Sequence, residues 1–145
     1  MKDLMLNVEG YWTDKKYLPN YRGIYFVYRA SNVHTNVYGG KEANLEELIY
    51  IGKADDQTIL ERHQNHEKQP LFDAALLEGE QLWYATIKVD SDIDRVENGL
   101  IFKRKPRLND KLTDTFNHPD TRFILRSDKV IVDMSTDFYL EKSVK

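Results

Sequence analysis

Cysteine is absent from the 145 residues of this sequence. Disulfides, thiolate metal sites and cysteine nucleophiles are therefore excluded, and the composition fits a reducing compartment. Apolar runs are also short, because none approaches the roughly 20 residues that a membrane-spanning helix needs. Residues 1–9 lack the continuous apolar core of a signal peptide. We therefore expect a cytoplasmic protein with no membrane partner.

The sequence also lacks an excess of positive charge. Lys and Arg number 21 against 24 Asp and Glu, so the formal net charge is −3. Proteins that bind nucleic acid through overall charge are usually basic, so the net charge argues against this mode of binding. Any contact with phosphate groups must therefore be local. Internal repeats, low-complexity tracts and linkers are also missing, and the length predicts a single domain over residues 1–145.

Three segments have the pattern of β-strands. Residues 23–28 and 48–52 are short and rich in β-branched and aromatic side chains, which is typical of buried strands. Residues 81–89 alternate in the period of a half-buried strand. Residues 29–47 are polar and contain turn formers, which indicates a long loop or a decorated hairpin connection. The first two strands are expected to be antiparallel neighbours, with a tyrosine of each close together.

Three helices are also predicted. The first begins near residue 59 after an N-cap in residues 53–56, the second spans residues 70–79, and the third runs from a capping-box-like start at residues 91–94 to about residue 105. Two later apolar segments, residues 123–126 and 130–132, predict short C-terminal strands or a hairpin.

Polar side chains stand in unusual positions on two of these helices. Arg62 and His66 are four residues apart, so both project from one helix face. Glu97 is four residues from Ile93 and from Ile101, which places it on the apolar stripe of the third helix. An ionised carboxylate there is costly unless it is paired, hydrogen-bonded or bound to a cation. Glu97 is therefore a candidate ligand.

Taken together, these features resemble the GIY-YIG nuclease family. The matching pieces stand in order as Gly23-Ile24-Tyr25, Tyr50-Ile51-Gly52-Lys53-Ala54, Arg62 with His66, Glu97 with Leu100-Ile101, and Pro106 with Asn109. The resemblance covers residues 23–109, which leaves residues 1–22 as an N-terminal arm and 110–145 as a C-terminal extension. It implies an α+β fold with a small, mainly antiparallel three-stranded central sheet flanked by helices, and extra C-terminal strands or a hairpin.

The resemblance also implies a metal-dependent endonuclease that hydrolyses DNA phosphodiester bonds, with Mg²⁺ or Mn²⁺ as cofactor. DNA repair is one such role, branched or damaged DNA is a candidate substrate, and a homodimer is left open. The implied catalytic residues are Tyr25, Tyr50, Lys53, Arg62, His66 and Glu97, of which Glu97 is also the metal ligand. The implied DNA contacts are Gly52, Lys53, Arg62, Lys105, Arg107 and Asn109.

The resemblance assigns a role to most of these residues. Tyr50 is the expected general base, although a hydroxyl with a pKa near 10 needs a nearby cation to act at neutral pH. Arg62 is the expected clamp on the scissile phosphate, since a guanidinium can hold two oxygens. Tyr25 is expected to orient water or contact phosphate, and His66 to bond substrate or assist proton transfer. Asn109 is expected to support the site or make a backbone contact.

Several other interpretations stay open. The chain could be a catalytically silent nucleic-acid- or protein-binding module, or Arg62 and Glu97 could form a structural ion pair. His63 and His66 could suggest zinc, but His34 and His118 lie in remote loops, which argues against a complete site.

Overall fold

One mixed sheet of six strands organises the computed structural model, which describes residues 1–144. The strands are β1 (Lys2–Trp12), β2 (Gly23–Thr35), β3 (Lys41–Ala54), β4 (Gln81–Lys88), β5 (Thr121–Arg126) and β6 (Asp137–Leu140). The helices are α1 (Ile59–Gln64), α2 (Gln69–Ala74) and α3 (Ile93–Arg104), with a 3-10 turn at Lys15–Tyr17. The strand order is β3-β2-β4-β1-β5-β6. Only β1 and β5 are parallel neighbours, and the sheet curls into a half-barrel.

This architecture overturns the expected fold class of a small three-stranded sheet flanked by helices. Strands β3, β2 and β4 do form an antiparallel unit, but they are only half of a mostly β structure with three short helices. Residues 1–22 are not an arm, because β1 lies inside the sheet between β4 and β5. Its buried Leu6 and Val8 alternate with exposed Met5 and Asn7, the period of a strand with one face on the core.

The segment 29–47 is a hairpin rather than a loop. Strand β2 continues to Thr35, β3 begins at Lys41, and three register shifts absorb irregular pairing between them. The turn is closed by Asn36, whose side-chain oxygen accepts the backbone N–H groups of Tyr38 at 2.9 Å and Gly40 at 3.0 Å. A side chain that mimics backbone in this way is a common turn device.

The two C-terminal strands are only partly where the sequence predicted them. Residues 123–126 fall in β5, but the second strand is β6 and residues 130–132 are not a strand. Backbone groups of that segment instead bond the Tyr11 hydroxyl, which donates to the Val130 carbonyl at 2.6 Å and accepts the Val132 N–H at 2.9 Å. In β6, buried Phe138 and Leu140 alternate with exposed residues.

Helix boundaries also differ from the predicted ones. Helix α1 has Thr58 as its N-cap, in a capping box with Glu61, so residues 53–56 are not the cap. Helix α2 ends at Ala74, five residues before the predicted end at Gly79. No helix within residues 1–144 combines the length and the apolar character needed to cross a membrane.

Burial on both faces of β2 positions the site. Phe26 and Tyr28 pack into the cluster that contains α3, whereas Tyr25 and Val27 pack into a second cluster with α1 and α2. Helix α3 packs closely against the Phe123 ring of β5 at Gly99. Any side chain at this position would overlap that ring, so glycine allows the close approach. Helices on opposite faces of the sheet therefore converge on its edge strand, β3.

Candidate active site

An open cleft of about 700 Å³ follows the edge of β3. Helix α3 supplies one wall, the α1–α2 segment the opposite wall, and residues 109–112 the floor of one end. Six of the sequence-predicted residues line this cleft: Tyr25, Tyr50, Lys53, Arg62, Glu97 and Asn109. The structure thus brings together groups that are as far as 84 positions apart, from Tyr25 to Asn109.

The two tyrosines are adjacent because of strand register. Tyr25 pairs with Gly52 and Val27 with Tyr50, and the two tyrosine rings lie 6.3 Å apart between centroids. A side chain at Gly52 would overlap the Tyr25 hydroxyl, so this position needs glycine for the ring to cross β3. Gly23 has an equivalent constraint, because a side chain there would overlap the Ile87 carbonyl. Close packing therefore accounts for the glycine at both positions, Gly23 and Gly52.

His66 lies behind Tyr25 and is buried. Its Nδ1 accepts the Lys68 backbone N–H at 3.1 Å, and its Nε2 is 2.6 Å from the Tyr25 hydroxyl oxygen. The pKa of His66 is lowered to about 4, mainly by burial and also by the neighbouring Arg62, so the ring is neutral at pH 7. The neutral ring with an acceptor at Nδ1 must carry its proton on Nε2 and donate it to Tyr25. His66 thereby leaves the Tyr25 proton free to be donated elsewhere, and it does not itself line the cleft.

Tyr50 is half-buried at the cleft wall. Its pKa is raised to about 12, mainly by burial and also by the negative charge of Glu97, whereas Arg62 acts in the opposite direction. Burial also raises the pKa of Tyr25 well above its ordinary value. Both hydroxyls are therefore protonated at neutral pH in the protein alone, and lowering the pKa of Tyr50 requires added positive charge or the loss of negative charge nearby.

Glu97 has the environment of a ligand group. It is half-buried in the cleft, and it makes no hydrogen bond or ion pair within residues 1–144. Its pKa is raised to about 7, mainly by burial; Lys53 acts in the opposite direction, whereas the negative charges of Asp94 and Asp55 also raise it. The predicted alternative of an ion pair with Arg62 does not form, because Arg62 binds Glu67 instead. Glu97 therefore has free carboxylate oxygens facing the cleft.

Arg62 holds Glu67 by two contacts across the cleft wall. Nη1 and Nη2 each lie 2.7 Å from a different carboxylate oxygen of Glu67. Lys53 forms an ion pair with Asp94, and Lys68 lies 3.9 Å from Asp110. Lys68 also lies over the Tyr50 ring, 5.8 Å from its centroid. Three cationic side chains of the cleft, Arg62, Lys53 and Lys68, are thus each already near a carboxylate.

His63 is a buried ring without polar partners. It is 1% exposed, and neither ring nitrogen has a hydrogen-bond partner within residues 1–144. Its ring packs edge-on against Tyr25 at 4.4 Å and Tyr84 at 5.3 Å between centroids. Its pKa is lowered to about 3, mainly by burial and also by the neighbouring His66 and Arg62. The zinc alternative gains no support, because no cluster of three or more potential ligand side chains occurs among the described residues.

No family model, curated protein or solved structure matches this chain. The GIY-YIG resemblance therefore stays a prediction that depends on the residues themselves.

The other predicted DNA contacts lie outside the open part of the cleft. Gly52, Lys105 and Arg107 do not line it. Lys105 donates to the Phe102 carbonyl at 2.8 Å, and Arg107 donates to Glu47 at 2.8 Å. The Asn109 side chain lines the cleft and forms hydrogen bonds with the backbone of Ile51, a contact of the type expected for this residue.

Sequence reasoning missed three charged residues of the cleft: Glu67, Lys68 and Asp110. Glu67 and Lys68 directly follow His66, so their proximity to a predicted site residue was a usable signal. The orientation of these side chains could not be predicted, because it depends on the turn that follows Gln64 and brings Glu67 back to Arg62. Asp110 directly follows the predicted Asn109, and only the folded path of residues 109–112 places it at the cleft.

The cleft fits one divalent cation at Glu97. Mg²⁺ is typically held by one or two carboxylates together with water and substrate phosphates, so a full cage of protein ligands is not needed. An unpaired, half-buried carboxylate with a raised pKa matches that donor requirement. Lys53 leaves the Glu97 oxygens free, since it forms its ion pair with Asp94.

Proposed function

We propose that the protein is an endonuclease that hydrolyses DNA phosphodiester bonds with one Mg²⁺ or Mn²⁺, in the manner of the GIY-YIG nucleases. One observation supports this most strongly: Tyr25, Tyr50, the cationic side chains of Lys53 and Arg62, and the Glu97 carboxylate, which has no ion pair within residues 1–144, line a single open cleft. A cytoplasmic location, branched or damaged DNA as substrate, and a homodimer belong to the proposal as predictions.

The cationic side chains bind the substrate in this proposal. Arg62 presents a planar fork that holds two phosphate oxygens, and Lys53 adds a point charge on the α3 side of the cleft. Together they fix the scissile phosphate beside the tyrosines. They also neutralise charge that develops on the phosphoryl oxygens, which is the main requirement of this reaction.

Tyr50 is the proposed general base for the attacking water. With its pKa raised to about 12, it needs added positive charge in the cleft. Glu97 would hold the divalent cation, which would supply that charge and stabilise the leaving oxygen. Bound phosphate keeps Arg62 next to Tyr50, which also favours the phenolate.

Tyr25 orients the water in this scheme, and His66 is a positioning residue. The His66 Nε2–H donates to Tyr25, so the Tyr25 proton is directed away from His66 and toward the cleft. His66 was expected to contact substrate or assist proton transfer, but its buried position supports only this indirect role.

Cleavage assays test the proposal directly. Supercoiled plasmid, single-stranded DNA and a branched duplex are each incubated with the protein and Mn²⁺ or Mg²⁺. We expect metal-dependent nicking that is lost in Glu97→Gln and reduced at least about 100-fold in Tyr50→Phe, the scale of a lost acid–base group. Glu78→Gln, an exposed site that does not line the cleft, is the matched control. Equal cleavage by Glu97→Gln and wild type would refute the proposal.

A catalytically silent binding module is the second candidate. The observation that favours it is that Arg62, Lys53 and Lys68 are each already near a carboxylate. This candidate predicts DNA or protein binding that is unchanged by metal and by Glu97→Gln. Metal-dependent strand breakage that Glu97→Gln abolishes excludes it.

A further inference from the structure

Exposed carboxylates form ion pairs with three of the cationic side chains of the cleft. Three ion pairs share this arrangement: Arg62–Glu67, Lys53–Asp94 and Lys68–Asp110. The acidic side chains of these pairs are 68%, 66% and 73% exposed, whereas the cationic side chains are 17%, 35% and 24% exposed. The cations thus belong to the cleft wall, and the carboxylates lie over them on the solvent side.

Glu67 has the geometry of a phosphate substitute. Its two oxygens accept from two different nitrogens of Arg62, at 2.7 Å each. A phosphate is bound by the same fork in the same two-point way. Arg62 holds the pKa of Glu67 down to about 2, so Glu67 is charged at any pH at which the cleft would work. Substrate phosphate and Glu67 therefore compete for one guanidinium.

We infer that Glu67, together with Asp94 and Asp110, is an intramolecular competitor that phosphate must displace before DNA enters the cleft. This inference rests on the proposed function for the identity of the displacing anion. The pairs are weak enough to exchange, because exposed ion pairs contribute little stability. DNA that reaches several cations at once displaces all three carboxylates, whereas contact with one phosphate displaces at most one of them. The three carboxylates therefore select against weak, non-specific DNA contacts.

Salt dependence distinguishes this competitor from ordinary surface charge. Each phosphate neutralised by a free protein cation contributes about 0.9 to the slope of log affinity against log salt, since it releases a condensed counterion. When phosphate displaces a carboxylate, the freed carboxylate takes up a cation from solution and cancels part of that release. Removing the carboxylate should therefore steepen the salt dependence as well as increase affinity.

The test is fluorescence anisotropy of a labelled DNA duplex in EDTA, at several salt concentrations, where cleavage cannot occur. We expect Glu67→Gln to bind about two- to fivefold tighter at low salt, the scale of an exposed ion pair. The slope should steepen by up to about 0.9, and by up to about 2.7 in the triple variant with Asp94→Asn and Asp110→Asn. Glu78→Gln makes the same change in net charge, and its side chain has no ion pair within residues 1–144.

Arg62→Ala in the Glu67→Gln background supplies the second readout. If the competitor acts on Arg62, this change should abolish the affinity gained by Glu67→Gln, whereas a general charge effect would survive it. Slopes equal to that of Glu78→Gln would overturn the inference, even if the protein cleaves DNA. Steeper slopes without metal-dependent cleavage would support the inference and count against the proposed catalysis. Failure of all variants to bind DNA would overturn both.

Discussion

His63 should make the folded protein sensitive to mild acid. Its ring is buried without polar partners, so the folded state resists protonation at a site that is an ordinary histidine in the unfolded chain. Its pKa is lowered from 6.5 to about 3 on folding. A group with a lowered pKa contributes stability that is complete above pH 6.5 and is lost as the pH falls toward 3.

The expected magnitude follows from that window. At about pH 5.0, which is about 1.5 pH units below the ordinary pKa of histidine, the ring is protonated in the unfolded chain but not in the folded one. Each of these pH units lowers the free energy of unfolding by about 1.4 kcal/mol. His63 alone therefore costs about 2 kcal/mol between pH 7.5 and 5.0. His66, with its pKa lowered to about 4, acts in the same direction. Glu97 acts in the opposite direction, because its pKa is raised to about 7 and acid protonates its folded form first.

Comparing two proteins isolates the contribution of His63. Urea unfolding of wild type and His63→Phe is measured at pH 7.5 and at pH 5.0. We expect the wild type to lose about 2 kcal/mol more than the variant over this range, since His66 and Glu97 are common to both proteins. His34→Phe, at an exposed position on β2, is the control and should keep the wild-type pH dependence. Equal losses in wild type and His63→Phe would refute the reasoning that the ring stays neutral in the fold.

Three further changes test other contacts of the cleft. Gly52→Ala should destabilise the protein by about 1–3 kcal/mol and reduce cleavage, because its side chain overlaps the Tyr25 hydroxyl; thermal unfolding and nicking assays should change together. Tyr25→Phe should cost about 1–3 kcal/mol in urea unfolding, since it leaves the buried His66 Nε2–H without its acceptor, and an unchanged midpoint would contradict that hydrogen bond. Asn98→Ala should make residues 112–117 sensitive to proteolysis, because Asn98 donates to the Thr115 carbonyl at 2.8 Å and accepts the backbone N–H of residue 117 at 2.9 Å.

The local elements around the cleft were predictable where short-range patterns decide them. The apolar run at 23–28 and the alternation at 81–89 correspond to β2 and β4, and the stripe around Glu97 corresponds to α3. Tyr25 and Tyr50 are neighbours because a direct connection favours antiparallel pairing. These features depend on residues close in sequence or on one hairpin, which patterns describe well.

The rest depends on contacts that no local pattern contains. Strand β1 pairs in parallel with β5, Lys2 opposite Thr121, and nothing near residue 2 indicates a partner so far along the chain. The family resemblance also directed attention away from residues 1–22, although Leu6 and Val8 alternate with the polar Asn7 and Glu9. Arg62 pairs with Glu67 rather than Glu97, because a turn between α1 and α2 brings Glu67 back over the helix. Such side-chain choices follow from the folded path alone.

The Asn109 side chain has a consequence for self-association. Its amide accepts the Ile51 N–H at 3.0 Å and donates to the Ile51 carbonyl at 2.9 Å, as an added strand would. The Ile49 carbonyl on the same edge accepts the Leu108 N–H at 3.1 Å. Unpaired edge strands are templates for intermolecular pairing and aggregation. Loop residues 108–109 thus seal the edge of β3 beside the cleft, and two copies of the chain cannot join by strand addition there without first breaking these bonds.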